Sequence, residues 1–375
     1  MFEKVRIVRY IGNKTNLYNF IIPELKNKLK EKEKFYEFFA GTNAISFEIN
    51  KLNKNIYAND ISLYSKIIFS LLDTYIEDIN IKNLIEFFNY IDTNNSEKLI
   101  EKYNITELFI TNELSMSGNV KTADKEIFKN QEFQSRMYFP YKIGLKIDVI
   151  RFLLKNNIFK LNKKEKIIIL NMLLNYADKH ANTTGVYGAF LKTNKIKNIR
   201  PFYNKQLFNN IIEYIKEYNI KNTIKKFFQD DILNVIEHEK IENAVIYLDP
   251  PYNTRDYQTN YHILNYIIDL NFNPDYIKYG SKTAVPKTEK RFKNISSSNK
   301  TIINNFEKIL RYLANKNNEI FISYSSEGIM KLEDYQNLAN KLGYTFEVKE
   351  KEYRKYKSQK NNSNSSVFEY LIKLN

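Results

Sequence analysis

Cysteine is absent from all 375 residues, which removes disulfides, thiolate catalysis and cysteine-based zinc sites. Histidine is almost as scarce. His180, His238 and His262 are the three, too few and too scattered for a histidine metal centre, and no metal is expected. Glycine occurs nine times and proline seven, so each is informative as punctuation. No window approaches the roughly 18 uninterrupted apolar residues of a membrane span. The opening MFEKVRIVRYIG lacks the apolar stretch of a secretory signal. These absences point to a soluble cytoplasmic protein with no membrane partner.

What the chain has in quantity is basic and aromatic. Lys and Arg number 58 against 43 Asp and Glu, a formal charge of +15. That balance suits a polyanion, because phosphate contacts by Lys and Arg release condensed counterions. It equally suits compositional drift toward Lys, Asn, Ile and Tyr, so charge alone does not decide. With 26 Phe, 29 Tyr and 43% hydrophobic residues, the chain can bury one large domain or a core domain with an insertion.

The pattern begins with a loop, RYIGNKTN, then a helix with Leu17, Phe20, Ile21, Leu25 and Leu29 on one face. KFYEFFAG (34–41) reads as a buried strand ending in a turn, NAISFEINKLN as a helix and NIYAND (55–60) as a second strand. Two strands joined by a short helix start a parallel sheet. From about 65 to 220 the pattern changes to helices and polar connections. Strand character resumes with NAVIYLDPP (243–251), followed by a helix near 260–270 and a polar loop over 279–300. A helix (300–315), the strand EIFISYS (319–325) and a helix (331–342) come next. YTFEVKEKEYRKY and SSVFEYLIKLN close the chain as a hairpin. The expected fold class is α/β: a Rossmann-like doubly wound sheet from 1–65 and 221–375, interrupted by a mostly helical insertion over 66–220.

Asp249-Pro250-Pro251-Tyr252 follows directly on the apolar run Ala244–Leu248. A buried strand ending this way places the four residues at the carboxyl edge of the sheet, where open α/β folds bind ligands. Two prolines fix φ and leave no backbone N–H to compete for partners. What remains is a carboxylate beside a proline carbonyl, with a ring next door. Two acceptors match an amino group with two hydrogens, and the ring can stack on a planar base.

Asp249 to Tyr252 resembles the DPPY motif of methyltransferases that act on amino groups of nucleic-acid bases. Further segments resemble the Dam-related D12 class of adenine DNA methyltransferases, in that class's alpha-type order. Arg9-Tyr10-Ile11-Gly12-Asn13-Lys14 is similar to its N-terminal motif, and Phe38-Phe39-Ala40-Gly41-Thr42-Asn43 to its cofactor loop. Asn59-Asp60 ends the second strand, where the family places a ribose-binding acid. Asp231, opening DILNVI, matches the acid that contacts the cofactor adenine. The resemblance extends to Tyr257, Asn260-Tyr261-His262, ISYSSEG (322–328) and the terminal EYLIKL. It implies S-adenosylmethionine as cofactor, bound through Tyr10, Gly12, Lys14, Phe38, Phe39, Ala40, Gly41, Asp60 and Asp231, with Lys14 facing the cofactor carboxylate. It departs at Asn43, where the family often has a second small residue; Asn tolerates the left-handed backbone such a turn needs.

The insertion is the expected site of sequence recognition on double-stranded DNA. His180 to Lys192 carries Gly185 and Gly188 around aromatic and basic residues, which suggests a hairpin against a groove or backbone. Thr184, Tyr187, Lys192 and Lys195, continuing to Lys197 and Arg200, suit phosphate and base contact. Arg136, in Arg136-Met137-Tyr138-Phe139, resembles a segment of related restriction-modification methyltransferases and is a further DNA-contact candidate. A monomer bound to the nucleoid, with a cognate restriction endonuclease as companion, completes the expectation.

Lack of cysteine decides between chemistries. Methylation of cytosine at ring carbon 5 needs a thiolate, whereas transfer to an exocyclic amine does not. Adenine N6 is favoured by Asp at 249. Cytosine N4 enzymes more often have Ser there, and RNA adenine enzymes Asn. Those two, and a catalytically silent DNA-binding module, stay open as alternatives.

Overall fold

The computed structural model describes residues 5–116, 136–195, 198–251, 257–272, 278–279, 286–287, 299–353 and 367–375. It divides into two compact units: one of 14–61, 220–256 and 290–375, the other of 1–13, 62–219 and 257–289. The strands in chain order are β1 (Lys34–Phe38), β2 (Asn55–Asn59), β3 (Ile224–Phe228), β4 (Ala244–Leu248), β5 (Lys278–Tyr279), β6 (Pro286–Lys287), β7 (Glu319–Ser325), β8 (Phe346–Tyr353) and β9 (Val367–Leu374).

The first unit holds a seven-stranded sheet in the order β3-β2-β1-β4-β7-β9-β8. Strands β3 to β7 in that order pair in parallel, and β9 runs antiparallel to both β7 and β8. This is the Rossmann-like sheet the sequence leads one to expect. All five residues of β4 are buried, as a central strand covered on both faces requires. Side chains alternate between faces along each strand. Tyr36, Phe38, Ile246, Leu248, Ile320, Ile322 and Ile372 enter one core with the helices Ile232–His238, Asn299–Leu313 and Leu332–Leu342. The intervening residues face the helices Tyr18–Leu29 and Ala44–Asn50, which pack on β4 and β1.

One feature differs from the sequence reading. No strand is expected between 220 and 243, yet β3 pairs with β2 at the sheet edge. Its Lys225 and Lys226 are exposed, which hides the apolar pattern and suits an edge that must not recruit another strand. The closing hairpin forms as expected, with β9 lying between β7 and β8.

The second unit is helical: Leu63–Phe69, Ile81–Thr93, Ser96–Tyr103, Phe109–Leu114, Tyr141–Lys155, Lys163–His180, Lys205–Tyr218 and Tyr257–Ile268, with the short pair β5–β6. Buried ionic groups satisfy helix ends here, where backbone groups lack intrahelical partners. The Asp148 carboxylate accepts from the Ile110 and Thr111 N–H groups at 3.1 and 2.8 Å. Arg151 donates to the carbonyls of Tyr266, Ile267 and Asp269 at the C-terminal end of the helix Tyr257–Ile268.

Candidate active site

Strand order reverses between β1 and β4, and ligands of open α/β sheets bind in the crevice beyond such a reversal. Phe38 is level with Leu248, and the Asp249 N–H donates to the Phe38 carbonyl at 3.3 Å. The two loops therefore leave the sheet side by side. After β1 the backbone is left-handed at Phe39 (φ 59°), Gly41 (φ 52°) and Asn43 (φ 57°). For bulky Phe39 this costs about 1–3 kcal/mol, a strain that persists where surrounding contacts enforce it. Here the Ala40 N–H donates to the Asn59 carbonyl at 3.0 Å, and the Gly41 N–H to Asp60 Oδ2 at 2.8 Å.

Asn43 opens the helix Ala44–Asn50 without a side-chain capping bond. Glu37 supplies that bond from β1. Its Oε2 accepts from the Ser46 N–H at 2.7 Å and from the Ser46 hydroxyl. A carboxyl group at a helix N-terminus satisfies donors that the helix itself cannot.

Lys14 lies between two acids. Its Nζ is 3.1 Å from Asp249 Oδ1 and 2.8 Å from Glu369 Oε1. The Ser323 hydroxyl also donates to Glu369 Oε1, at 2.7 Å. The Lys14 side chain is 5% exposed, that of Glu369 12% and that of Asp249 21%. Burial pushes the Asp249 carboxyl up to about 6; Lys14 opposes the shift and the Glu369 charge adds to it. Burial lifts Glu37 to about 8 against its Ser46 hydrogen bonds, with the Asp249 charge adding.

Glu37 gives a pH prediction. Its folded value of about 8 lies above the ordinary 4.5. Its contribution to stability is therefore complete below about pH 4.5 and is lost as pH rises through 8. Glu37→Gln stays neutral, so its melting temperature should fall less between pH 7 and 9 than that of the parent. Calorimetric scans across that range check this; parallel curves would mean that Glu37 is already ionised at neutral pH.

The other expected site residues fall out as follows. Asp60 follows β2 directly and holds the loop at Gly41. Asp231 caps the helix Ile232–His238, accepting from the Leu233 N–H at 2.8 Å. Lys14, expected at a cofactor carboxylate, is ion-paired instead with Asp249 and Glu369. Phe38 is 1% exposed and part of the hydrophobic core, which corrects the expectation that its side chain binds cofactor. Ala40 is buried and Phe39 is partly so. Pro250 is buried and Pro251 half-buried, while Tyr252 lies outside the described residues. Tyr10 and Gly12 belong to the other unit. There the Tyr10 ring stacks on Tyr261, centroids 4.6 Å apart, the Tyr261 hydroxyl accepts from the Ile11 N–H at 2.7 Å, and Gly12 has φ 78°. Sequence reasoning missed Glu37, Ser323 and Glu369. The available signal was polar residues at inward positions of otherwise apolar strands.

In the helical unit, residues 181–195 form bends and turns rather than the expected hairpin strands. Buried Asn182 gathers the base of this loop. Its side-chain amide donates to the Met137 and Leu191 carbonyls at 3.0 and 2.9 Å, and its Oδ1 accepts from the Lys195 N–H at 3.0 Å. Thr184, Lys192 and Lys195 are exposed, and Gly185 and Gly188 half-buried. Tyr187 is 1% exposed, with its ring beside Tyr138. Arg136 is fully buried, its Nη1 3.1 Å from Glu113 Oε2. Both positions correct the expectation that these side chains contact DNA: each already lies in the interior. Lys197 lies outside the described residues.

A family model described as D12 class N6 adenine-specific DNA methyltransferase matches residues 10–338. Type II methyltransferase M.NlaIII of Neisseria lactamica is 28% identical, over 97% of this chain and 98% of its own. Type II methyltransferase M.FokI of Planomicrobium okeanokoites is 27% identical over 97% of this chain, which spans 52% of that longer protein. Type II methyltransferase M.CviAII of Paramecium bursaria Chlorella virus 1 is 27% identical, over 97% of both chains. Among the described residues no helix is long and apolar enough to cross a membrane.

Proposed function

The chain belongs to the D12 class of N6 adenine-specific DNA methyltransferases, and from that premise we propose that it moves a methyl group from S-adenosylmethionine to the 6-amino group of an adenine flipped out of duplex DNA. The observation that carries this reading is Asp249, held by Lys14 at the end of β4 and followed by two prolines that have no N–H.

The amino nitrogen is a poor nucleophile because its lone pair is delocalised into the ring. Lys14 engages Asp249 Oδ1, so we assign Oδ2 and the Pro250 carbonyl to the two amino hydrogens. Accepting both draws the nitrogen toward tetrahedral geometry and localises the lone pair. Positioning of this kind supplies much of the acceleration when neither reactant needs covalent help. Tyr252 is assigned as the stacking surface for the base.

The residues fit the cofactor by donor and acceptor type. Asp60 and Asp231 place carboxylates after successive strands, acceptors suited to ribose hydroxyls and to an adenine amine. The left-handed loop at 39–43 brings backbone to the same edge. When bound, S-adenosylmethionine would supply an electrophilic methyl group on its sulfonium and leave as the neutral thioether, the methylated amine then losing one proton to solvent. Tyr10 and Gly12 are assigned to cofactor binding on their likeness to the family's N-terminal motif alone.

The insertion, 66–220, is assigned to target recognition, with Thr184, Gly185, Gly188, Lys192 and Lys195 toward DNA. We further assign the chain as a monomer that modifies DNA beside a cognate restriction endonuclease.

The test is transfer of labelled methyl groups to duplex DNA, with the product nucleoside separated chromatographically. Labelled 6-methyladenine is the expected product; 4-methylcytosine alone would overturn the choice of base, and unlabelled DNA the reading as a whole. Affinity should also fall steeply with salt. Six phosphate contacts give a log–log slope of about −5, and replacing Lys192 or Lys195 by Ala should each reduce it by about one. A slope near zero would leave the +15 charge without a role in binding.

A further inference from the structure

Four neighbouring strands send polar side chains to the same face of the sheet. Glu37 on β1 is level with Tyr247 on β4, and Tyr247 with Phe321 on β7, two residues before Ser323. Ser323 is level with Leu371 on β9, two residues after Glu369. The two-residue period of a strand therefore puts Glu37, Tyr247, Ser323 and Glu369 on one side. Their apolar neighbours on that face are tightly packed: Phe35, Val245 and Phe321 are fully buried and Leu371 nearly so. Removing ionisable groups from water costs several kcal/mol each before their partners offset it, and the packing of this face does not call for them.

Glu369 is the member that reaches Lys14 most closely, 2.8 Å against 3.1 Å for Asp249. Its Oε1 takes two donors, the Lys14 ammonium and the Ser323 hydroxyl at 2.7 Å. We propose that Glu369 is a positioning residue for methyl transfer: with Ser323 it anchors the Lys14 ammonium, and the anchored ammonium fixes the Asp249 carboxylate in the orientation that meets the target amine. The inference rests on the reading of Asp249 given above.

The physical reason lies in the lysine. Its stem has four rotatable bonds and its head is a point charge without directional preference. Held by Asp249 alone, the ammonium could follow that carboxylate through its rotations and would blunt its power to accept. Glu369 ties the ammonium from the far side. Asp249 is then left with one oxygen engaged, and its orientation is set by the sheet instead of by a flexible chain. The charged and titratable groups facing Asp249 are Lys14 from the segment before the first helix, Glu369 from β9, Glu37 from β1 and Tyr247 from its own strand.

Glu369→Gln, Glu369→Asp and Lys14→Met, with the Lys14→Met/Glu369→Gln double variant, test the idea. Single-turnover methyl transfer in Glu369→Gln should slow by about 10- to 100-fold, the scale of a misplaced reacting group. Binding of S-adenosylmethionine should stay within a few-fold of the parent. The acidic limb of the rate profile should move to lower pH, because a negative charge that favours protonation of Asp249 has gone. Glu369→Asp keeps the charge but shortens the reach, so it should lose rate with the limb unmoved. The double variant should be no slower than Lys14→Met, since both act through one ammonium.

The ligand-free protein gives a second readout. The Asp249 carboxyl carbon, followed by NMR, should titrate at lower pH in Glu369→Gln than in the parent. A Glu369→Gln chain with parental rate and an unmoved titration would overturn the proposal. So would losses that multiply in the double variant, or a Glu369→Gln chain that no longer unfolds cooperatively, which would assign the residue to the fold. If the parent itself failed to methylate adenine, the reading of the site would fall, and the carboxyl titration would still decide whether Glu369 controls Asp249.

Discussion

Alanine in place of Asp249 is expected to slow methyl transfer by at least about 100-fold, the usual scale for removing one preorganised transition-state contact. Binding of S-adenosylmethionine should stay within a few-fold of the parent, because Asp60 and Asp231 stand on other elements. The fold should survive as well. Lys14 keeps Glu369 as its partner at 2.8 Å, so no buried ammonium is orphaned. The parent also maintains a carboxylate whose folded value, about 6, lies above the ordinary 3.8. That raised value contributes stability below about pH 3.8 and loses it as pH rises through 6. The alanine chain should therefore be at least as stable as the parent at pH 8. In the parent, the same titration predicts a rate that falls as pH drops through about 6, where protonation removes an acceptor oxygen. Labelled-methyl kinetics from pH 5 to 9, beside calorimetric titration of the cofactor, separate the effects. An Asp249→Ala enzyme that methylates adenine at the parental rate would refute the assignment.

Arg136→Ala should strike the fold instead. Arg136 is fully buried and its guanidinium is 3.1 Å from Glu113 Oε2, on a side chain only 7% exposed. Taking one partner from a buried pair leaves the other charged and unpaired, at a cost of about 3–5 kcal/mol. Set against a typical total of about 5–15 kcal/mol, that brings the helical unit close to unfolding at ordinary temperature. Urea unfolding should show the midpoint falling sharply. Replacing both partners with apolar side chains, as in Arg136→Met with Glu113→Leu, should recover much of the loss. Lys192→Ala provides the contrast: exposed, it should cost DNA affinity and shift stability by no more than about 0.5 kcal/mol. If Arg136→Ala kept its stability but lost DNA binding, the burial argument would fail and a DNA contact would return.

Strands whose burial is two-sided were legible because their composition carries the signal: the runs 34–38, 244–248 and 319–325 are apolar through their centres. β3 was not, since two of its five residues are exposed lysines and an edge strand needs only one buried face. The position of β9 was beyond reach for another reason. Adjacency in a hairpin says which strands pair, not which of the two lies inward. Asp249 could be found from local sequence, because the two prolines and the preceding strand fix its place. Its control could not, since Glu369 and Lys14 lie 355 residues apart. Arg136 and Tyr187 misled for the opposite reason. Basic and aromatic residues beside glycines read as surface, and nothing local records that Glu113 and Tyr138 enclose them.

The separation of Lys14 from Glu369 bears on synthesis. Translation proceeds at about 5–20 residues per second, so roughly 20–70 s pass between emergence of the lysine and of its glutamate. Because β9 lies inside the sheet, between β7 and β8, the sheet has a gap until that strand has left the ribosome. A nascent chain thus carries its Asp-Pro-Pro loop for many seconds without the anchor. Translation interrupted before β9 would leave fragments in which Lys14 lacks Glu369.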